Sequence, residues 1–394
     1  MTSHPPSSIL HPRRILVRGT NWLGDAVLTT PALLRLREKF PDAHIALLAT
    51  EKLRGLWMGH PAVNEIISFA PVESVFSVGR KLHRWGEPPG RPAREYARPT
   101  GFDLALVLPN SPRSAIEPWL AGIPERIGYA RPWRNFFLTQ AVPPRPGVMK
   151  MRKRSIAEIR RLIAQPETAN HKSQIAYSTA HQIHEYLHLA AALGANPEPI
   201  APQLFVAPDE IDAARKKFGL EKSTQPIFGM APGAEYGPAK RWPVERFIAA
   251  AQEIQKRTNC VWLIFGGAND AQIAGQIESA IRHSSFVIWN LCGRTSLREL
   301  MALLKLCRVL LTNDSGPMHV AAALGTPVVA LFGSTTPELT GPGLPGDLRH
   351  RLLQSGAPCS PCFRRECPID FRCMTGINVE NVVAAIIEAT RVCS

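Results

Sequence analysis

Asp25 closes the run Gly19-Thr20-Asn21-Trp22-Leu23-Gly24-Asp25. Gly24 frees the backbone just ahead of a helical pattern, so the carboxylate that follows can project into a cleft and take a proton from a hydroxyl. It can equally cap the helix. A second stretch, Ala231-Pro232-Gly233-Ala234-Glu235-Tyr236-Gly237-Pro238-Ala239-Lys240-Arg241-Trp242-Pro243, precedes a helix opening at a proline. Its small residues admit a ligand close to the backbone, and Lys240 and Arg241 bring positive charge. A diphosphate suits such a loop, although it is no Walker sequence, and a solvated basic turn is the plainer reading. The third stretch, Thr312-Asn313-Asp314-Ser315-Gly316-Pro317-Met318-His319, again leads into a helix. Its first-turn N–H groups suit an anion, and Asp314 can accept hydrogen bonds from sugar hydroxyls. His319 fits as a neighbour of such a ligand or as packing. Gly333 to Pro337 forms one more capping or binding loop.

Four of the eight cysteines, Cys359, Cys362, Cys367 and Cys373, cluster as C-x2-C-x4-C-x5-C. The first interval resembles zinc spacing. Pro361 and Pro368 crowd the others, so zinc stands second to reduced thiols packing a loop. Cys260, Cys292 and Cys307 sit in apolar patterns and read as core.

These loops need strands before them and helices after them. Residues 14–18 read as a short buried strand, 26–36 as a helix and 44–49 as the next strand, the opening of a parallel α/β sheet. Strand-like runs follow at 65–69 and 103–108. Residues 79–101, rich in Arg and Pro, interrupt the alternation and predict a surface loop. A basic, partly helical segment covers 145–171, and a helix covers 181–193. A second α/β series starts near Pro226, with strands at 227–231, 260–265, 287–290, 309–312 and 327–332. Helices intervene at 243–257, 270–281, 296–304 and 316–324, and 378–392 is a terminal helix. The pattern predicts two Rossmann-like domains whose cleft holds the site. A polar tail (1–12) is followed by a first domain (13–205) and a second (206–376). The last helix (377–394) is expected to pack back on the first domain.

The chain of 394 residues carries 46 Lys and Arg against 32 Asp and Glu, a net +14. Such an excess points to an anionic partner. It is concentrated in the first half: 80–98 holds six basic residues against two acids, and 145–161 seven against one. With aromatic residues at 7% and no nucleic-acid motif, stacking platforms for bases are not expected. No apolar run is long enough for a membrane span, and the first residues lack a signal-peptide pattern. These features predict a cytoplasmic protein.

Taken together, N-W-L-G-D, P-G-A-E-Y-G-P-A-K-R-W-P and N-D-S-G-P-M-H-V-A-A-A-L-G-T-P resemble the heptosyltransferases of glycosyltransferase family 9, in order from about Ile15 to Val383. Trp22 and the tail C-S-P-C-F-R-R-E-C-P are more similar to heptosyltransferase II than to heptosyltransferase I. The resemblance implies a GT-B fold and an inverting, metal-independent enzyme with no cofactor. Its donor would be ADP-heptose and its acceptor lipid A-Kdo-heptose, met at the cytoplasmic face of the inner membrane by peripheral contact. It implies Asp25 as the general base and Lys240 on the donor diphosphate, with Gly233 and Ala234 in the same loop. Asp314 would hold the heptose hydroxyls, with Ser315, Gly316 and His319 around the phosphates. Asn269 or Asp270 would lie near the ribose and Thr295 near the adenine edge. On the acceptor side stand Asn21, Asn110, Arg113, Arg126 and Arg131, because guanidinium groups pair well with carboxylates and phosphates.

Competing readings are a family member with another acceptor, such as heptosyltransferase I or III, a sugar-nucleotide epimerase of the same architecture, and a non-catalytic anion-binding protein of the membrane surface.

Overall fold

The computed structural model describes residues 11–85, 101–146, 148–149, 151–164, 179–282 and 287–391. The chain divides into two compact units, 1–148 with 182–200, and 149–181 with 201–394.

In the first unit, chain order gives β1 (Arg14–Arg18), α1 (Leu23–Leu28), α2 (Thr30–Lys39), β2 (His44–Thr50), α3 (Arg54–Trp57), β3 (Glu65–Phe69), α4 (Val75–Trp85), β4 (Leu104–Val107), α5 (Pro112–Leu120), β5 (Glu125–Tyr129) and β6 (Gln140–Val142). The chain leaves for α6 (Ile156–Ala164) in the second unit and returns for α7 (Ile183–Ala191), which packs on α2. All strand pairs are parallel, in the order β3-β2-β1-β4-β5-β6. Helices cover both faces of such a sheet, which is why β1, β2 and β4 read as nearly unbroken apolar runs.

The second unit continues with α8 (Pro208–Lys217), β7 (Ile227–Ala231), α9 (Val244–Thr258), β8 (Val261–Ile264), α10 (Ala271–Arg282), β9 (Ile288–Asn290), α11 (Leu297–Leu306), β10 (Val309–Asn313), α12 (Gly316–Ala323), β11 (Val328–Phe332), α13 (Pro337–Thr340), β12 (Arg351–Gln354), α14 (Arg372–Thr375) and α15 (Val379–Arg391). Its order, β12-β11-β10-β7-β8-β9, is again wholly parallel. Counted from the first strand of each unit, the two sheets have the same doubly wound order.

Three expectations are corrected. The segment before residue 182 does not stay with the first domain. Ile159 of α6 buries its side chain with Cys359 and Cys362, and Arg154 N donates to Cys362 O at 3.0 Å. The terminal helix α15 is part of the second unit's own core. Val382, Val383, Ile386 and Ala389 lie along one stripe and enter the second unit's core, against α9 and the sheet. The 79–101 stretch does not begin as a loop, because Val78 and Leu82 anchor α4 in the first core. The rest of that stretch, 86–100, lies outside the described residues, as does the tail 1–10. No described helix is long and apolar enough to cross a membrane.

Candidate active site

In each unit the strand order reverses between the first and fourth strands, and ligands of doubly wound sheets bind at the carboxyl ends flanking that point. In the first unit the flanking loops follow β1 and β4. They border a cavity of about 290 Å³ lined by Asn21, Asp25, Asn110, Tyr129, Gln182 and Tyr186, among others. Asp25 stands in the first turn of α1, where the helix dipole favours a carboxylate. Gln182 Nε2 donates to Asp25 Oδ1 at 3.4 Å and to the Tyr186 hydroxyl at 2.8 Å. Tyr186 is buried, and desolvation, reinforced by the Asp25 charge, raises its pKa well above the usual phenol value. It stays a neutral phenol.

Two buried arginines stand behind the cavity. Arg18, at the end of β1, pairs with Glu117 at 2.6 Å, both essentially without solvent contact. Its Nη1 donates to Gly19 O and, at 3.1 Å, to Asn21 Oδ1, so the ion pair fixes the loop that carries Asp25. Burial lowers the Arg18 pKa, and Glu117 opposes that shift. Arg134 is also fully buried, and its Nη1 donates to Asn110 Oδ1 at 3.3 Å. Among the described residues its Nε and Nη2 have no hydrogen-bond partner, and burial pushes its pKa down to about 10. Gly128 on β5 makes the room: a Cβ there would stand 2.7 Å from Nη2.

Of the residues expected on the acceptor side, Asn21 and Asn110 share the cavity with Asp25. The three arginines are engaged elsewhere. Arg113 pairs with Glu117 at 3.0 Å and donates to Glu73 O. Arg126 donates to the carbonyls of Phe137 and Pro124. Arg131 lies 5.6 Å from the Tyr129 ring centre and donates to Ala130 O. Sequence reasoning missed Gln182, Tyr186, Arg18 and Arg134. An arginine closing the apolar run of β1 was the one available signal.

In the second unit the flanking loops follow β7 and β10. Asn313 ties them together, accepting from Trp242 N at 3.1 Å and donating to Pro232 O at 2.7 Å. Lys240 Nζ lies 2.6 Å from Asp314 Oδ2, which also accepts from Thr335 Oγ1 at 2.6 Å. The ring of Tyr236 lies 5.0 Å from the same ammonium. Ser315 Oγ meets Thr312 Oγ1 at 3.2 Å, just ahead of Gly316 at the start of α12. His319 is buried, and desolvation drives its pKa to about 4, so the imidazole is neutral; among the described residues its Nδ1 has no hydrogen-bond partner. Gly233 and the buried Ala234 precede Lys240 in the β7 loop. Asp270 leans over Gly233, where a Cβ would collide with its carboxylate. The carboxylate accepts from Gly267 N at 3.0 Å and faces Arg241 at 3.7 Å. Thr295 precedes Ser296, the N-cap of α11, outside this bond network.

The four-cysteine segment buttresses these loops. Tyr236 OH donates to Phe363 O at 2.8 Å, Ala239 N to Arg365 O at 3.0 Å, and Ser360 Oγ to Gly333 O at 2.6 Å. Burial raises the pKa of Cys359, and that of Cys373 to about 12, as in packed thiols. Among the described residues no three His, Cys, Asp or Glu side chains are placed to hold one metal ion.

Residues 95–371 match glycosyltransferase family 9 (heptosyltransferase). The chain belongs to that family. It is 34% identical over 336 residues to lipopolysaccharide heptosyltransferase 2 of Escherichia coli K12, covering 84% of this chain and 85% of the relative. Among solved structures, E. coli ADP-heptose LPS heptosyltransferase II is 26% identical, with a TM-score of 0.71 and coverage of 96% and 98%. E. coli heptosyltransferase WaaC with ADP, 17% identical, gives 0.60 with 95% and 99% covered, a likeness of fold. The family 9 protein is therefore a glycosyltransferase with the GT-B fold.

Proposed function

We propose that this family 9 enzyme transfers L-glycero-D-manno-heptose from ADP-heptose to the heptose of a lipopolysaccharide inner core, as a heptosyltransferase II does. The observation that carries the reading is Asp25, a carboxylate held by the neutral amide of Gln182 in a polar cavity at a sheet's switch point. An acceptor hydroxyl is a poor nucleophile until a positioned base draws its proton. Asp25 takes that proton as the acceptor oxygen bonds to the anomeric carbon. The bond from that carbon to the diphosphate breaks, ADP leaves, and the configuration inverts.

The leaving diphosphate gathers negative charge. Lys240 and the N–H groups opening α12 supply fixed positive potential for it. Asp314 and Thr335 offer acceptors and donors to the sugar, with His319 kept neutral behind them. Asp270 lies by the ribose and Thr295 by the adenine. Charge neutralisation rests on these groups rather than on a divalent cation, so turnover should survive exhaustive chelation with EDTA, and strict dependence on added Mg²⁺ would sink this part of the reading. On the acceptor side, Asn21 and Asn110 orient the sugar. The acceptor is lipid-borne, so the enzyme works in peripheral contact with the cytoplasmic face of the inner membrane.

Asp25→Asn is the direct test. Turnover should fall by about 10²–10⁴-fold, the usual worth of a general base, while ADP binding measured by calorimetry stays at the wild-type level. Near-normal turnover would reduce Asp25 to a helix-terminus residue. Comparing a core acceptor that lacks heptose with one carrying a single heptose separates the heptosyltransferase I and II reactions.

A further inference from the structure

The first unit has a face that its own core leaves uncovered. Helix α4 is amphipathic: Val78 and Leu82 point inward, while Phe76, Arg80 and Arg84 follow one another at intervals of four along the outer side. Helix α5 lies against it. A Cβ on Gly79 would stand 2.6 Å from Leu120 Cβ, and His83 Nδ1 meets Ala121 O at 3.4 Å. Trp119, next to Leu120 near the end of α5, is exposed. Its ring lies 6.4 Å from that of Phe136, and both rings lie 5.3 Å from Phe137.

The aromatic side chains here are strongly exposed: Trp133 92%, Phe136 79%, Phe76 65% and Trp119 40%. Trp133 also adopts φ 63°, a left-handed conformation that a bulky residue rarely takes. On α4 itself, Ser77, Arg80, Lys81, Arg84 and Trp85 line a groove of about 420 Å³. Lys81 is tied to Glu73 at 2.9 Å, but among the described residues Arg80 and Arg84 form no ion pair.

We propose that this α4–α5 face, with Trp133 and Phe136 at its rim, is the surface that docks on an anionic phospholipid bilayer. The groove takes phosphate headgroups, and the aromatic rings enter the interfacial layer. Aromatic rings suit that layer because one side meets hydrocarbon and the other meets water. Interleaved arginines favour anionic lipid over a second copy of the chain, since a two-fold contact through this face would bring arginines toward arginines. The proposal rests on the peripheral membrane contact inferred above and gives it an address.

The test is co-sedimentation of the full-length protein with phosphatidylcholine vesicles and with mixed phosphatidylcholine–phosphatidylglycerol vesicles. The wild type should bind the mixed vesicles, bind phosphatidylcholine alone far less, and be released as salt is raised. The double change Arg80→Gln with Arg84→Gln should weaken partition by about fivefold per arginine. Trp133→Ser with Phe136→Ser should weaken it on the order of tenfold. Both variants should melt with the wild type and retain turnover on detergent-dispersed acceptor. Wild-type failure to bind mixed vesicles, equal binding to both vesicles, or undiminished binding by both variants would each overturn the proposal. So would a dimer that Phe136→Ser dissociates in the absence of vesicle binding. Should heptosyl transfer fail while the vesicle results hold, the activity reading falls and the docking surface stands.

Discussion

Two buried arginines in the first unit make opposite contributions. Arg18 has Glu117 at 2.6 Å, and removing one member of such a pair strands the other. Arg18→Met should therefore destabilise the fold by up to about 3–5 kcal/mol in denaturant melts, with Arg113 as a partial substitute partner. Among the described residues Arg134 forms no ion pair, and two of its nitrogens have no hydrogen-bond partner. An uncompensated buried cation costs stability, so its return must be functional. Through Nη1 it fixes Asn110 in the cavity wall, and its charge favours an acidic acceptor. Arg134→Met should keep or raise the melting temperature while raising the acceptor KM severalfold and leaving the donor KM unchanged. A drop in stability with both constants unaltered would make Arg134 a structural residue only.

At the scale of elements, the loops after β7 and β8 meet at a glycine. Gly233→Ala would drive a methyl into the Asp270 carboxylate and break its bond to Gly267 N. The expected result is a donor KM raised on the order of tenfold, the worth of one displaced charge-assisted hydrogen bond, with the acceptor KM little changed. An unchanged donor KM would detach Asp270 from the nucleotide. Most elements were legible in the sequence because a sheet buried on both faces writes long apolar runs, as in β1, β7 and β10. The strands that escaped were β5, which begins Glu125-Arg126 and gives Gly128 to Arg134, the three-residue β6, and the half-exposed edge strand β12. Asp25, Lys240 and Asp314 were legible as charged residues in small-residue loops at strand ends. Gln182 was not, because it comes to Asp25 from 157 residues away. The arginines expected to meet the acceptor show the same limit. Nothing local tells that Arg126 will turn to main-chain carbonyls.

The whole molecule should lose stability in acid through its second unit. His319 and His350 are both buried there with native pKa values of about 4. In the unfolded chain an imidazole takes its proton near pH 6.5. Between those values the unfolded state binds more protons, so stability is complete above about pH 6.5 and falls as the pH drops toward 4. Denaturant midpoints followed by tryptophan fluorescence should fall across that window, and His319→Asn should flatten the slope. An unchanged slope in that variant would mean that His319 is not buried neutral.

The chain path has a further consequence. Residues 149–181 belong with 201–394, and 182–200 return to 1–148. A fragment ending near residue 200 would carry α6 without the cysteine segment it covers. A fragment ending at 148 would lack Gln182 and Tyr186, leaving the base's cavity without one wall. Neither half is a single stretch of sequence, so dissection requires the first unit to be rebuilt with a short bridge from 148 to 182. A single protease nick near residue 200 should leave the two pieces held together until denaturant is added, because α6 stays packed on the cysteine segment.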